Sequence, residues 1–158
     1  MAHGIFRGDN VTSITDPAKI RTIQTYGDID NGAPIVLGTL AASGKYAGEA
    51  EVFTTSAATG ANAADVWVVT TPEIDYVNYA LADFYNASGT ISRAIAMEKY
   101  DIFSVTSEVL SAIPNANDKY IAAGNGAWTV SNANTKAFAK YLDTTVQDGV
   151  TFYAFEVL

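Results

Sequence analysis

Tyr120-Ile121-Ala122-Ala123-Gly124-Asn125-Gly126-Ala127-Trp128-Thr129-Val130-Ser131 reads as two short strands joined by a tight turn. Asn-Gly accepts the positive φ angles of a hairpin turn, and the flanks carry residues that pack on a pleated surface. The same grammar extends in both directions. Downstream, Gln147-Asp148-Gly149 turns the chain into Val150-Thr-Phe-Tyr-Ala-Phe-Glu-Val157, another strand. Upstream, Ile91, Arg93, Ile95 and Met97 alternate with Ser92, Ala94 and Ala96. Glu98-Lys-Tyr-Asp101 then leads into Ile102-Phe-Ser-Val-Thr106, which predicts a hairpin between these two runs.

Further upstream, Asp65-Val-Trp-Val-Val-Thr70 is the most apolar strand, stopped by Pro72. Pro34-Ile-Val-Leu-Gly-Thr-Leu40 is a buried strand whose proline stands at its first residue, where the missing N–H is tolerated. Lys19 to Tyr26 and Glu49 to Thr55 also read as strands. Ser56 to Ala64 has almost no side-chain volume to bury and reads as a loop. Helical spacing occurs at Tyr76 to Phe84, Glu108 to Ile113 and Ala133 to Leu142. Short strands separated by regular turns predict a mostly β protein, a single β-barrel or β-sandwich over residues 18–158 with one or two short helices. Residues 1–17 hold Gly4, Gly8, Asp9-Asn10 and Asp16-Pro17 and show no sustained period. They read as an extended N-terminal arm, whose Ile5, Phe6, Arg7, Val11 and Ile14 are the candidate partner-binding residues.

Composition narrows the function. The apolar share is 49% and the charged share 16%, against roughly 25% charged in ordinary soluble domains. Such a weakly charged surface suits a protein packed against others. Net charge is −8, with nine Lys and Arg residues scattered singly. Counterion release needs clustered basic groups, so neither nucleic acid nor an anionic membrane is an expected partner. There is no cysteine, which excludes disulfides, a thiolate nucleophile and cysteine-based zinc sites. No apolar run approaches the ~20 residues of a spanning helix, and the start of the chain does not resemble a signal peptide. A soluble protein made in the cytoplasm is expected.

Little here suits catalysis. His3 is the only histidine, so a histidine-based zinc site is excluded. A Ser-His-Asp triad would need that ring held rigidly, which a flexible arm does not do. Asp28-Ile-Asp-Asn-Gly32 resembles the start of a calcium loop, but glycine falls one place early and Thr39 occupies the position of the bidentate glutamate. A turn is the better reading. The acids Asp65, Glu73, Asp75, Asp83, Glu98 and Asp101 can be paired for glycoside hydrolysis only by a fold that the sequence does not specify. Trp67, Tyr76, Tyr79, Phe84, Tyr85 and Trp128 suit a core or an interface, or a sugar-stacking platform. A non-enzymatic structural or binding protein without metal or cofactor is therefore expected.

Four segments together resemble a family. Gly32-Ala-Pro-Ile-Val-Leu-Gly38, Asp65-Val-Trp-Val-Val-Thr-Thr-Pro-Glu73, Ser92-Arg-Ala-Ile-Ala-Met-Glu-Lys-Tyr-Asp-Ile-Phe-Ser-Val-Thr106 and Asp118-Lys-Tyr-Ile-Ala-Ala-Gly124 are similar to the head-decoration proteins of tailed bacteriophages. These are also called capsid cement, auxiliary capsid or head-fibre proteins. The resemblance implies a virion location on the outside of the capsid, the major capsid protein as partner and a homo-oligomeric state. It also implies a role for the arm along the capsid surface, where it can add a strand to a neighbour's sheet edge. A tail component or a host-surface or carbohydrate-binding module is the alternative.

Overall fold

The computed structural model describes residues 2–42, 44–48, 51–73, 80–115 and 119–158, with the backbone alone at position 13. Among these residues the strands form two systems. The first is a closed barrel of β2 (Ile20–Gln24), β3 (Pro34–Leu40), β4 (Val52–Ala57), β5 (Val66–Val69) and β6 (Ile91–Ile95), in the order β2-β4-β3-β5-β6. β2 closes the ring against β6, antiparallel, and runs parallel to β4. The second is an open sheet of β1 (Phe6–Asn10), β7 (Ile102–Val105), β8 (Tyr120–Ala123), β9 (Trp128–Ser131), β10 (Ala139–Gln147) and β11 (Val150–Val157), in the order β1-β7-β11-β10-β8-β9. The chain is thus mostly β, as its turns and alternating runs predict.

One hydrophobic core serves both systems. Ile23, Ile35, Val68 and Ile95 from the barrel pack in the same cluster as Phe103, Val105, Trp128 and Phe155 from the sheet. Trp128 is fully buried, with ring centroids 4.8 Å from Phe138 and 6.1 Å from Phe103. Its indole N–H donates to the Gly32 carbonyl at 2.8 Å, joining the open sheet to the loop that enters the barrel. Gly32 has φ +86, and a Cβ there would lie 2.7 Å from Val105 Cγ1. Both the left-handed backbone and the close approach require glycine. The turn assigned to Asp28–Gly32 from sequence thus does more than reverse the chain, because it carries the contact between the two strand systems.

Several elements match their sequence reading. The Asn-Gly hairpin joins β8 and β9, with Ile121 opposite Val130. Gln147-Asp-Gly149 turns β10 into β11. β2, β3 and β5 lie where alternation and apolar runs place them.

Other elements differ. The runs 90–97 and 102–106 do not pair with each other. β6 pairs with β2 and β5, whereas β7 pairs with β1 and β11. The turn between them is captured by the C-terminal strand: Tyr100 N–H donates to Val157 O, and Val157 N–H donates to Asp101 O, both at 2.9 Å. Local alternation identified both strands, but long-range pairing chose their partners. Within Ala133 to Leu142, expected to be helical, the chain turns at Lys136 (φ 56) and enters β10 at Ala139. Pairing with β11 and β8, followed by the β-branched run Thr144-Thr145-Val146, overrides the helical spacing. Ser107–Val109 is one 3-10 turn in the region read as helical, and Leu81–Asp83 is another. Residues 76–79 of the expected helix lie outside the described residues, as do 49 and 50 of the expected strand.

Residues 2–17 are packed onto the domain, in contrast to the extended arm expected. Phe6–Asn10 is strand β1, and Ile5 and Val11 on either side of it are buried in the core. The apolar residues that break any simple period are spaced to fill gaps at the margin of the sheet, so no repeat betrayed their burial.

Candidate partner-binding face

The five candidate residues fall around β1. Ile5 is held by a reciprocal pair with Thr106: its N–H donates to Thr106 Oγ1 at 3.1 Å, and its carbonyl accepts from Thr106 N–H at 3.2 Å. Phe6 lies opposite Val105 and stacks on Phe103 with centroids 6.1 Å apart. Arg7 spans its strand, pairing with Asp9 at 2.7 Å while its guanidinium sits 5.3 Å from the centre of the Phe152 ring. Val11 is buried, and the next residue, Thr12, donates its N–H to Asp101 at 2.9 Å. Ile14 is half-buried and packs on the core. The fold therefore gathers all five on one flank, but only Phe6, Arg7 and Ile14 present surface. Ile5 and Val11 cannot reach a partner without leaving the core.

What β1 does offer is an edge. Among the described residues its only strand partner is β7. Asp9 and Asn10 at its end are exposed. An unpaired strand edge carries a row of main-chain donors and acceptors that a further strand can satisfy.

Beside this edge, where β1 meets the end of β5, lies a polar wall that sequence reading did not pick out as a site. Asn31, 2% exposed, donates from Nδ2 to Thr71 O at 2.9 Å and to Glu73 Oε1 at 3.0 Å. Its Oδ1 accepts from Thr71 N–H at 3.0 Å and from Asn86 Nδ2 at 3.2 Å. Arg93 donates from Nε to Thr70 O at 2.8 Å. Burial raises the pKa of the Glu73 carboxyl, partly offset by the Asn31 hydrogen bond, and burial lowers that of the Arg93 guanidinium. Glu73 is one of the six candidate acids, but nothing local joins it to Asn31 or Arg93. Asn31 reads as half of a turn dipeptide, and Arg93 as the polar position of an alternating strand. Only the closing of β5 and β6 into the barrel brings them together.

His3 is not free to wander. Its Nδ1 is hydrogen-bonded to Asp30 Oδ1 at 2.7 Å, and Gly4 N–H donates to Asp30 Oδ2 at 2.9 Å. The ring also stacks on Tyr85 with centroids 4.7 Å apart. The flexible-arm argument against a triad therefore does not describe this residue. Among the described residues no serine hydroxyl is hydrogen-bonded to the ring, and none group three or more His, Asp or Glu side chains where a metal ion could be held. Asp28 and Asp30 serve the turn instead, accepting from Ser88 N–H and from the His3-Gly4 segment. Of the two tryptophans, Trp128 is core, whereas Trp67 is half-buried with the Arg21 guanidinium 5.4 Å from its ring centre. Tyr76 and Tyr79 lie outside the described residues. No known family model matches the chain, and neither the curated proteins nor the solved structures show a significant similarity to it.

Proposed function

We propose that this chain is a virion structural protein that binds the outside of a tailed-phage capsid and stabilises or decorates it. The four segments that resemble head-decoration proteins motivate the reading. The observation that carries it is the β1 edge, an open strand fastened to a rigid body by Ile5, Phe6 and Val11. A capsid subunit with an exposed strand can extend the sheet there, with main-chain hydrogen bonds supplying affinity and Arg7 and Ile14 supplying selectivity. Each copy then stabilises the assembled lattice by mass action, since it binds the assembled form and not the free subunit. The major capsid protein is the partner on this reading, and self-association is expected on the shell.

Co-sedimentation of the purified chain with capsids lacking it is the direct test. Saturation at a fixed number per capsid is the expected result, and a folded protein that stays in the supernatant would sink the proposal. Asp9→Lys with Asn10→Lys should reduce occupancy, because lysines on an edge disfavour strand addition. Deleting residues 1–17 is a poor test, since it removes Ile5 and Val11 from the core.

A glycan-binding module is the second reading, and one observation favours it. Tyr26 and Tyr85 are each 42% exposed, and a cavity of about 430 Å³ lined by Tyr26, His3, Asp28 and Glu108 sets aromatic and carboxylate groups side by side. Retention on a glycan array, lost on Tyr26→Ala, would support it over the capsid reading.

A further inference from the structure

A cleft of about 420 Å³ opens between β1 and the barrel, against the polar wall described above. Glu73 and Arg93 both line it, yet no ion pair joins them among the described residues. Arg93 is fixed through Nε by the Thr70 carbonyl, and its two terminal nitrogens have no hydrogen-bond partner among the described residues. Glu73 is fixed through Oε1 by Asn31, and Oε2 has no such partner. The Thr70 hydroxyl stands in the same wall, in a residue 4% exposed, and it is the buried side-chain polar atom that lacks a hydrogen bond among the described residues. Buried polar groups are nearly always partnered, and an exception at a cleft asks what enters it. Phe6, Val11 and Ile14 also line the cleft, beside Thr15 and the Asp9 carboxylate, which is paired with Arg7.

A fork-shaped cation and a carboxylate, each anchored on one side and open on the other, are complementary to a molecule bearing both charges. Guanidinium binds a carboxylate through two parallel N–H donors, and a carboxylate accepts from an ammonium. Being partly buried, both groups gain more from such a partner than exposed ones would. An aromatic ring and an isoleucine in the same lining suit an apolar side chain, and the cleft volume lies in the range of small-molecule sites.

We infer that the cleft binds a free α-amino acid with an apolar side chain, its carboxylate on Arg93, its ammonium on Glu73 and its side chain against Phe6 and Ile14. This inference is independent of the capsid reading. The site is a recognition site with no bond made or broken.

The test is calorimetric titration of the full chain with leucine, isoleucine and phenylalanine, in parallel with their carboxamides and N-acetyl derivatives. Saturable binding of at least one free amino acid is expected, weakened at least about tenfold by blocking either end, the scale of a lost charge-assisted contact. Arg93→Gln and Glu73→Gln should each produce a similar loss, with circular dichroism showing the fold intact. Absence of saturable heat with all three amino acids up to about 10 mM would overturn the inference. So would blocked ligands that bind as well as free ones, or binding that survives both substitutions. Should a variant fail to fold, the blocked ligands on the unaltered protein decide the matter alone.

Discussion

In the barrel, β2 meets β6 and every strand has two neighbours, whereas in the open sheet β1 and β9 each have a single strand neighbour among the described residues. The two systems share one core and similar residues, so composition does not separate them. What separates them is the fate of their main-chain hydrogen bonds. A closed ring satisfies its own and offers a partner nothing but side chains. An open sheet offers a template. Strand addition is therefore open to the sheet and not to the barrel among the described strands, and the barrel carries most of the polar wall beside β1.

The largest loss is expected at the joint between the two systems. Trp128 lies in the sheet but donates to Gly32 at the barrel entrance. Trp128→Ala should cost about 3–5 kcal/mol, as for other large aromatic truncations in a packed core. For a chain of this size the melting temperature should fall on the order of 10 °C. Scanning calorimetry should show one transition, because the core is shared. Two resolved transitions would mean that barrel and sheet melt as separate units, and the picture of a single anchored body would fail.

Asn31 tests the same joint through polar contacts. Replacing it with Ala leaves Thr71 N–H without its acceptor and Asn86 Nδ2 with Ile29 O alone, in a buried site. A loss of about 2–3 kcal/mol is expected, the cost of orphaned buried donors. Chemical denaturation measures it, and a change below about 0.5 kcal/mol would show that water replaces the side chain.

Glu73 adds a pH dependence at the same wall. Its folded-state pKa is raised above the ordinary 4.5, so folding favours its protonated form. The cost of the charge is absent below the unfolded pKa, grows as pH rises through the window, and is complete above the folded pKa. Glu73→Gln keeps an acceptor for Asn31 and removes that cost. The variant should be more stable at neutral pH by ~0.5 kcal/mol at most, because the group is half in water and screened. The gain should vanish in mildly acidic buffer. A gain that persists there would assign the effect to packing.

How much of this was legible follows from the range of each interaction. The hairpin at Tyr120–Ser131 and the turn at Gln147–Gly149 are local, written in Asn-Gly and Asp-Gly chemistry, and both were readable. β6 and β7 were readable as strands, but not as members of different systems, since their partners lie far along the chain. The strand at Ala139 was masked by helical spacing that pairing with β11 overrides. Ile5 and Phe6 were readable as partner-seeking apolar residues. That the partner of both is largely this chain's own core depends on β7, about a hundred residues away in sequence. The wall of Asn31, Glu73 and Arg93 joins three loops and strands with no common motif, so only the closed barrel reveals it.

A comparably small effect concerns Arg7, which stands where the core ends and the open edge begins. Its charge is shared between Asp9 at 2.7 Å and the face of Phe152 at 5.3 Å. The carboxylate is largely exposed, so that pair contributes little and is weakened further by salt. The cation over the ring is better shielded, because Phe152 is buried, and such contacts contribute about 0.5–1 kcal/mol near a surface. Arg7→Ala should thus cost under ~1 kcal/mol, and Arg7→Lys should recover part of it, since a compact ammonium keeps the charge but loses the planar stack. If the loss disappears in high salt, the Asp9 pair carried it and β1 is held by its backbone and Phe6 alone. If the loss is insensitive to salt, the ring contact carried it, and Arg7 is committed to fastening the edge rather than free to greet a partner.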